Sequence, residues 1–116
     1  MSGNDTIFHK IISKEIPSDI VFEDEQVIAI KDVNPAGPVH ILCIPKKTIP
    51  KLADVEDGDK ELLGHMLCTI RDIAKSQGLD EEGYRVVINN GAGGGQTVFQ
   101  LHVHLIGGRD LSWPPG

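Results

Sequence analysis

Gly93-Gly94-Gly95-Gln96-Thr97-Val98-Phe99-Gln100-Leu101-His102-Val103-His104-Leu105-Ile106 is the run on which the reading of this 116-residue chain turns. Its apolar and polar residues alternate. A β-strand sends successive side chains to opposite faces, so a strand over Val98–Ile106 puts Gln100, His102 and His104 on one side. Leu101, Val103 and Leu105 fall on the other. One face is therefore core and the other polar, as in an antiparallel sheet packed on one side.

Outward from this strand, the glycine-rich loop Asn89–Gly95 separates it from a β-branched run, Tyr84–Ile88, which predicts a neighbouring strand. From Asp59 to Gln77, Leu63, Met66, Leu67, Ile70, Ile73 and Ala74 recur at helical spacing, with Gly78 as the expected stop. Val39–Ile44 reads as a central strand closed by Pro45, and Ser18–Lys31 as a hairpin about the acidic turn Glu23-Asp24-Glu25. Asp5 or Thr6 caps a short first helix carrying Ile7, Phe8, Ile11 and Ile12 on one face, with Pro17 limiting its length. No repeat or linker divides residues 1–116. The expected fold is one α+β domain, a mostly antiparallel sheet with its helices on one face.

With 40% hydrophobic and 24% charged residues, the chain has the material for a core. Its net charge of −6 is the wrong sign for binding along a long nucleic acid. No stretch approaches the roughly 18 consecutive apolar residues of a membrane span, and Met1-Ser2-Gly3-Asn4-Asp5 lacks the features of a signal peptide. The expectation is a cytoplasmic protein, or a nuclear one in a eukaryote, without membrane partners. Cys43 and Cys68 lack metal-type spacing and read as reduced core residues. His9 and His65 read as surface or packing residues.

Two imidazoles on one strand face, titrating near neutral pH, can attack, shuttle protons or bind metal. A metal would need a third ligand, for which His40 is the strong candidate. The adjoining loop Gly91–Thr97 favours another use. Its four glycines let backbone N–H groups approach an anion, although no Walker lysine follows. A neutral imidazole beside a bound phosphate is a nucleophile at phosphorus, so the residues point to phosphoryl or nucleotidyl transfer.

The same strand resembles the signature of the histidine triad superfamily, His-x-His-x-His-x-x. Nearly the whole chain resembles its Hint branch, the nucleoside phosphoramidate hydrolases, from Asp5-Thr6-Ile7-Phe8 through Lys14-Glu15-Ile16-Pro17, Phe22-Glu23-Asp24, His40–Lys47 and Leu63-Gly64-His65 to Gly107-Gly108-Arg109 and Trp113-Pro114-Pro115-Gly116. The departure is Gln100, which stands where the first triad histidine belongs.

The resemblance implies a metal-free and cofactor-free homodimer that hydrolyses the P–N bond of adenosine or guanosine 5′-phosphoramidates. His102 would attack the α-phosphorus, a backbone carbonyl fixing its tautomer. His104 would bind phosphate oxygens and assist the leaving amine, and His40 would support them. Asn89, Gln96, Thr97 and Val98, with Gly95 in the loop, would hold the phosphate. Asp32 would bind the ribose, and Phe8, Ile16, Phe22, Ile30 and Val33 would form the purine slot. Trp113 would reach toward the neighbouring subunit's pocket, and the helix Leu63–Gln77 would contribute to the dimer. The alternatives are a nucleotide-binding adaptor with little turnover, motivated by Gln100, and a histidine-based metal protein.

Overall fold

The computed structural model describes residues 6–116, which places Asp5 outside the described residues and leaves Thr6 as the cap of the first helix. Thr6 Oγ1 accepts the amide of His9 at 3.2 Å and opens α1, Ile7–Ile12. The hairpin follows as β1 (Ile20–Glu23) and β2 (Val27–Lys31), its turn held by Asp24, whose Oδ1 accepts the amides of Gln26 and Val27. The central strand β3 spans Val39–Pro45, the long helix α2 Lys60–Ser76, and the last two strands are β4 (Tyr84–Val87) and β5 (Val103–Gly107). All pairings are antiparallel, in the order β1-β2-β3-β5-β4.

The helices do not share one face of the sheet. Val27 and Ala29 of β2, Ile41 and Cys43 of β3, and Val103 and Leu105 of β5 pack with Met66, Ile70, Ile73 and Ala74 of α2. The intervening residues Ile28, Ile30, Leu42 and Ile44 pack on the other face with Phe8 and Ile11 of α1. β2 and β3 are apolar at nearly every position because both of their faces are covered. Since α1 has only six residues, it covers only part of its face. The remainder is a cleft of about 580 Å³ between α1 and the sheet.

Two further expectations need correction. β5 begins at Val103, and residues 98–102 run as irregular chain because their polar groups are bonded to the segment after β3. Cys43 is buried, its thiol pushed up to about 12 by that burial, but Cys68 lies exposed on α2. His65 is a surface residue paired with Asp24 Oδ2 at 2.6 Å.

Candidate active site

The cleft is lined by Phe8, Ile11, Ile16, Ile30, Asp32, Val33, Leu42, Thr97, Val98, His102 and His104 among others. Its inner wall is apolar and its deep end carries the imidazoles. Phe8 stands edge-on to His102, the ring centroids 4.8 Å apart, and His102 and His104 lie 5.0 Å apart. His40 enters from β3, where it faces the same side as Leu42, the cross-strand partner of His104.

Hydrogen bonds to the backbone fix the protons on these rings. A carbonyl only accepts, so His102 Nδ1 donates to the oxygen of Gln100, 2.7 Å away, and its Nε2 keeps the lone pair. An amide only donates, so His40 Nδ1 accepts from Ala36 N–H at 2.9 Å and the proton of His40 sits on Nε2. That proton is given to His104 Nδ1 at 2.9 Å, which leaves the proton of His104 on its own Nε2. His104 Nε2 is buried and, among the described residues, has no hydrogen-bond partner. The site thus offers one bare nitrogen, at His102, and one unused donor, at His104. The two arise from opposite tautomers of two histidines two residues apart.

Burial holds His102 below the ordinary imidazole range, partly offset by its bond to the Gln100 carbonyl. His104 is held down to about 4, chiefly by burial and then by the neighbouring His102 and His40. Both shifts favour the neutral rings that the hydrogen bonds describe. The acid limb of a pH–rate profile is therefore expected below pH 6.5, the ordinary imidazole value, with a flat rate through neutrality. Between about 4 and 6.5 the unfolded chain binds more protons at residue 104 than the folded one, so stability falls as pH drops through that window. Rate profiles together with ring titration by NMR check both statements; an acid limb at 6.5 or above overturns the first.

Asp32, His40 and His104 place one potential ligand atom each within 4.8 Å of one another. The donor set does not suit a divalent ion. With Nδ1 of His40 accepting the Ala36 amide, a metal on Nε2 would require the ring to lose both protons, whereas a metal-bound imidazole ordinarily donates from its other nitrogen.

Other residues singled out in the sequence fall into three groups. Asp32 lines the cleft, its Oδ1 accepting the amide of Asn34 at 2.8 Å, and Val33 stands at the rim, 90% exposed. Gln96 lies behind the wall, and its amide is fully engaged: Oε1 accepts from Gly91 N, and Nε2 donates to the carbonyls of Pro50 and Val98. Its side chain is a brace for the loop and has no group left for a phosphate. Asn89 packs beside Gly95, whose φ of 91° is a left-handed conformation suited to glycine. Phe22 is a correction, because it faces α2 and lines a groove with His65, Cys68 and Thr69. Trp113 is 82% exposed and lies away from this chain's cleft.

Sequence reading missed Leu42 and Ile11, which strand alternation from His40 and helical spacing from Phe8 would have found. It also missed the amide of Ala36, which has no side-chain signal. Arg109 Nε donates to the Ala36 carbonyl at 2.7 Å and ties that loop to the end of β5.

The fold and site define a hydrolase-like protein built around paired histidines of opposite tautomer. The chain belongs to the HIT domain family, whose model matches residues 13–111. It is 57% identical over 114 residues to an uncharacterized HIT-like protein of Synechococcus elongatus, covering 98% of this chain and 99% of that one. A 14 kDa zinc-binding protein of Brassica juncea is 54% identical, with 97% and 100% covered. The crystal structure of a HIT family hydrolase from Legionella pneumophila superposes with a TM-score of 0.95 at 47% identity, covering 97% of this chain and all of that one.

Proposed function

We propose that this protein is a purine nucleoside phosphoramidase of the Hint type, which hydrolyses the P–N bond of adenosine or guanosine 5′-phosphoramidates through a nucleotidyl-His102 intermediate. The observation that carries this reading is the bare Nε2 of His102 beside the unused Nε2–H of His104 at the end of an apolar cleft. Phe8, Ile16, Ile30 and Val33 give the purine an apolar slot, and Asp32 accepts from the ribose hydroxyls. With the base and sugar so placed, the phosphate lies near Thr97, Val98 and the histidines. His102 Nε2 attacks phosphorus, and the P–N bond breaks. The ring's Nδ1–H remains on the Gln100 carbonyl as positive charge forms on the imidazole. His104 Nε2–H stabilises charge on the departing nitrogen or an adjacent phosphate oxygen, the amine takes up one proton, and water then releases the nucleoside monophosphate. Apolar walls discriminate purines weakly, so adenine and guanine substrates should both react.

The test is turnover of an adenosine 5′-phosphoramidate carrying a fluorescent amine, with and without EDTA. Turnover that persists in EDTA supports the reading. Normal AMP binding without turnover would favour the adaptor. The zinc in the name of the Brassica relative finds no matching donor set around His40, for the tautomer reason given above.

The working unit is proposed to be a homodimer joined through α2 and β4. Val86 pairs with Leu105 and Tyr84 with Gly107, so both face the α2 side of the sheet from its outer strand, 40% and 37% exposed. Leu67 of α2 is 48% exposed. Val86→Glu should convert a dimer to a monomer in analytical ultracentrifugation; a native chain that sediments as a monomer overturns the assignment.

A further inference from the structure

Gln100 is fully buried, and its side chain makes three hydrogen bonds to the segment that follows β3. Nε2 donates to the carbonyls of Pro45 at 2.9 Å and Lys47 at 2.8 Å, and Oε1 accepts from Ile49 N at 3.1 Å. A primary amide has two N–H donors and an acceptor oxygen, and here they meet two acceptors and one donor. The reverse assignment of N and O would set an oxygen against two carbonyls. A neutral histidine offers one donor and one acceptor and would satisfy at most two of the three backbone groups.

The consequence for His102 runs through one peptide plane. The carbonyl of Gln100 and the N–H of Leu101 belong to the same planar unit. On one side the Leu101 N–H donates to Ile49 O at 2.7 Å; on the other, the Gln100 carbonyl accepts from His102 Nδ1. Ile49 thus holds the plane by its oxygen and holds the Gln100 side chain by its nitrogen. The same segment is fastened elsewhere, with Lys47 Nζ on Asp59 Oδ1 at 2.5 Å and Pro50 O on Gln96 Nε2 at 2.8 Å, so the frame is anchored on both sides. Tilting the 100–101 plane would move the one carbonyl that selects the tautomer of His102.

We propose that Gln100 is a positioning residue: its side-chain amide locks the 100–101 peptide plane against Pro45–Ile49 and so holds His102 in the single tautomer and orientation that leave Nε2 free to attack. The glutamine at the first triad position is then fitted to this frame and does not mark a weakened enzyme. The proposal rests on the phosphoramidase reading for its kinetic consequence, but the tautomer of His102 is observable without any substrate.

The test compares the native chain with Gln100→Met and Gln100→His by thermal melting, nitrogen-15 NMR of the histidine rings, AMP binding, and kcat and KM on the fluorescent phosphoramidate. Native His102 should show the Nδ1–H tautomer alone. In Gln100→Met the second tautomer should appear and kcat fall by roughly 10- to 100-fold, the scale on which small misplacements of a reacting group act. AMP affinity should stay within about twofold, and Gln100→His should lie between the two. Should Gln100→Met melt below the assay temperature, Gln100→His carries the test, since it keeps one donor and one acceptor. A folded variant with native His102 ring signals and native kcat overturns the proposal, as does a higher kcat in Gln100→His. The expected NMR change in a native protein without turnover would sustain the positioning role and sink the phosphoramidase reading.

Discussion

His102→Ala is expected to abolish turnover of adenosine 5′-phosphoramidates, lowering kcat by a factor on the order of 10³ to 10⁶, the range found when a catalytic nucleophile or its base is deleted. The expectation follows from a count of lone pairs. His40 Nδ1 is occupied by the Ala36 amide, His40 Nε2 and His104 Nδ1 share a proton, and His104 Nε2 carries one. Of the three imidazoles in the site, only His102 keeps a bare nitrogen, because its proton is committed to the Gln100 carbonyl. AMP should still bind, with affinity changed only a few-fold, since the walls of the cleft are supplied by Phe8, Ile16, Ile30 and Val33. Loss of the edge contact between His102 and Phe8 is the one packing change there. Mass spectrometry of the rapidly quenched native enzyme should show one nucleotidyl group per chain, located on His102. Substantial turnover by the alanine variant, or a label on another residue, would remove the nucleophile from this mechanism.

Much of this site was legible in the sequence because strand and helix periods carry direct geometric information. The alternation in Leu101–Leu105 gave one histidine face, and helical spacing from Leu63 to Ala74 gave α2 within a residue or two of its ends. Placing both helices on one face was an error that the sequence itself argues against. Val27–Ile30 and Val39–Ile44 are apolar runs without alternation, which a sheet covered on one side does not need.

Phe22 was misplaced for a subtler reason. It stands two residues from Ile20, so simple alternation puts both on one face. The register shifts between them, however, and Ile20 pairs with Ile30 of the cleft side while Phe22 pairs with Ala29 of the α2 side. One irregular residue in an edge strand reverses the faces beyond it. The two glutamines were read as substrate-facing because amides on a strand face suit a phosphate. Their use as braces depends on where residues 45–50 and Gly91 come to lie, a tertiary fact with no local signature. The polarity of the histidine pair is of the same kind, since the Ala36 amide that sets it belongs to a loop of Asn34-Pro35-Ala36-Gly37-Pro38 that the sequence marks only as a turn.

That polarity leads to the second large effect. Substituting His104 by alanine removes a preorganised donor that no other group in the cleft replaces, and a loss of about 10²- to 10³-fold in kcat is expected for substrates with alkylamine leaving groups. The effect should depend on the leaving group. Negative charge builds on the departing nitrogen as the P–N bond breaks, and a basic alkylamine nitrogen bears it poorly, whereas an electron-poor aromatic amine delocalises it. The donor at His104 therefore matters most where the amine is most basic. A plot of log kcat against amine pKa should be steeper for His104→Ala than for the native enzyme, the two lines converging toward the least basic amines. His40→Phe should show the same change of slope with a smaller loss, because it deletes the Nε2–H that holds His104 Nδ1 as an acceptor and so frees the ring to place its proton on either nitrogen. Parallel lines with equal losses across the amine series would mean that His104 acts on a phosphate oxygen alone. A native rate in His104→Ala would remove it from the chemistry, and the unpartnered Nε2–H would then be a cost of packing His40 against β5.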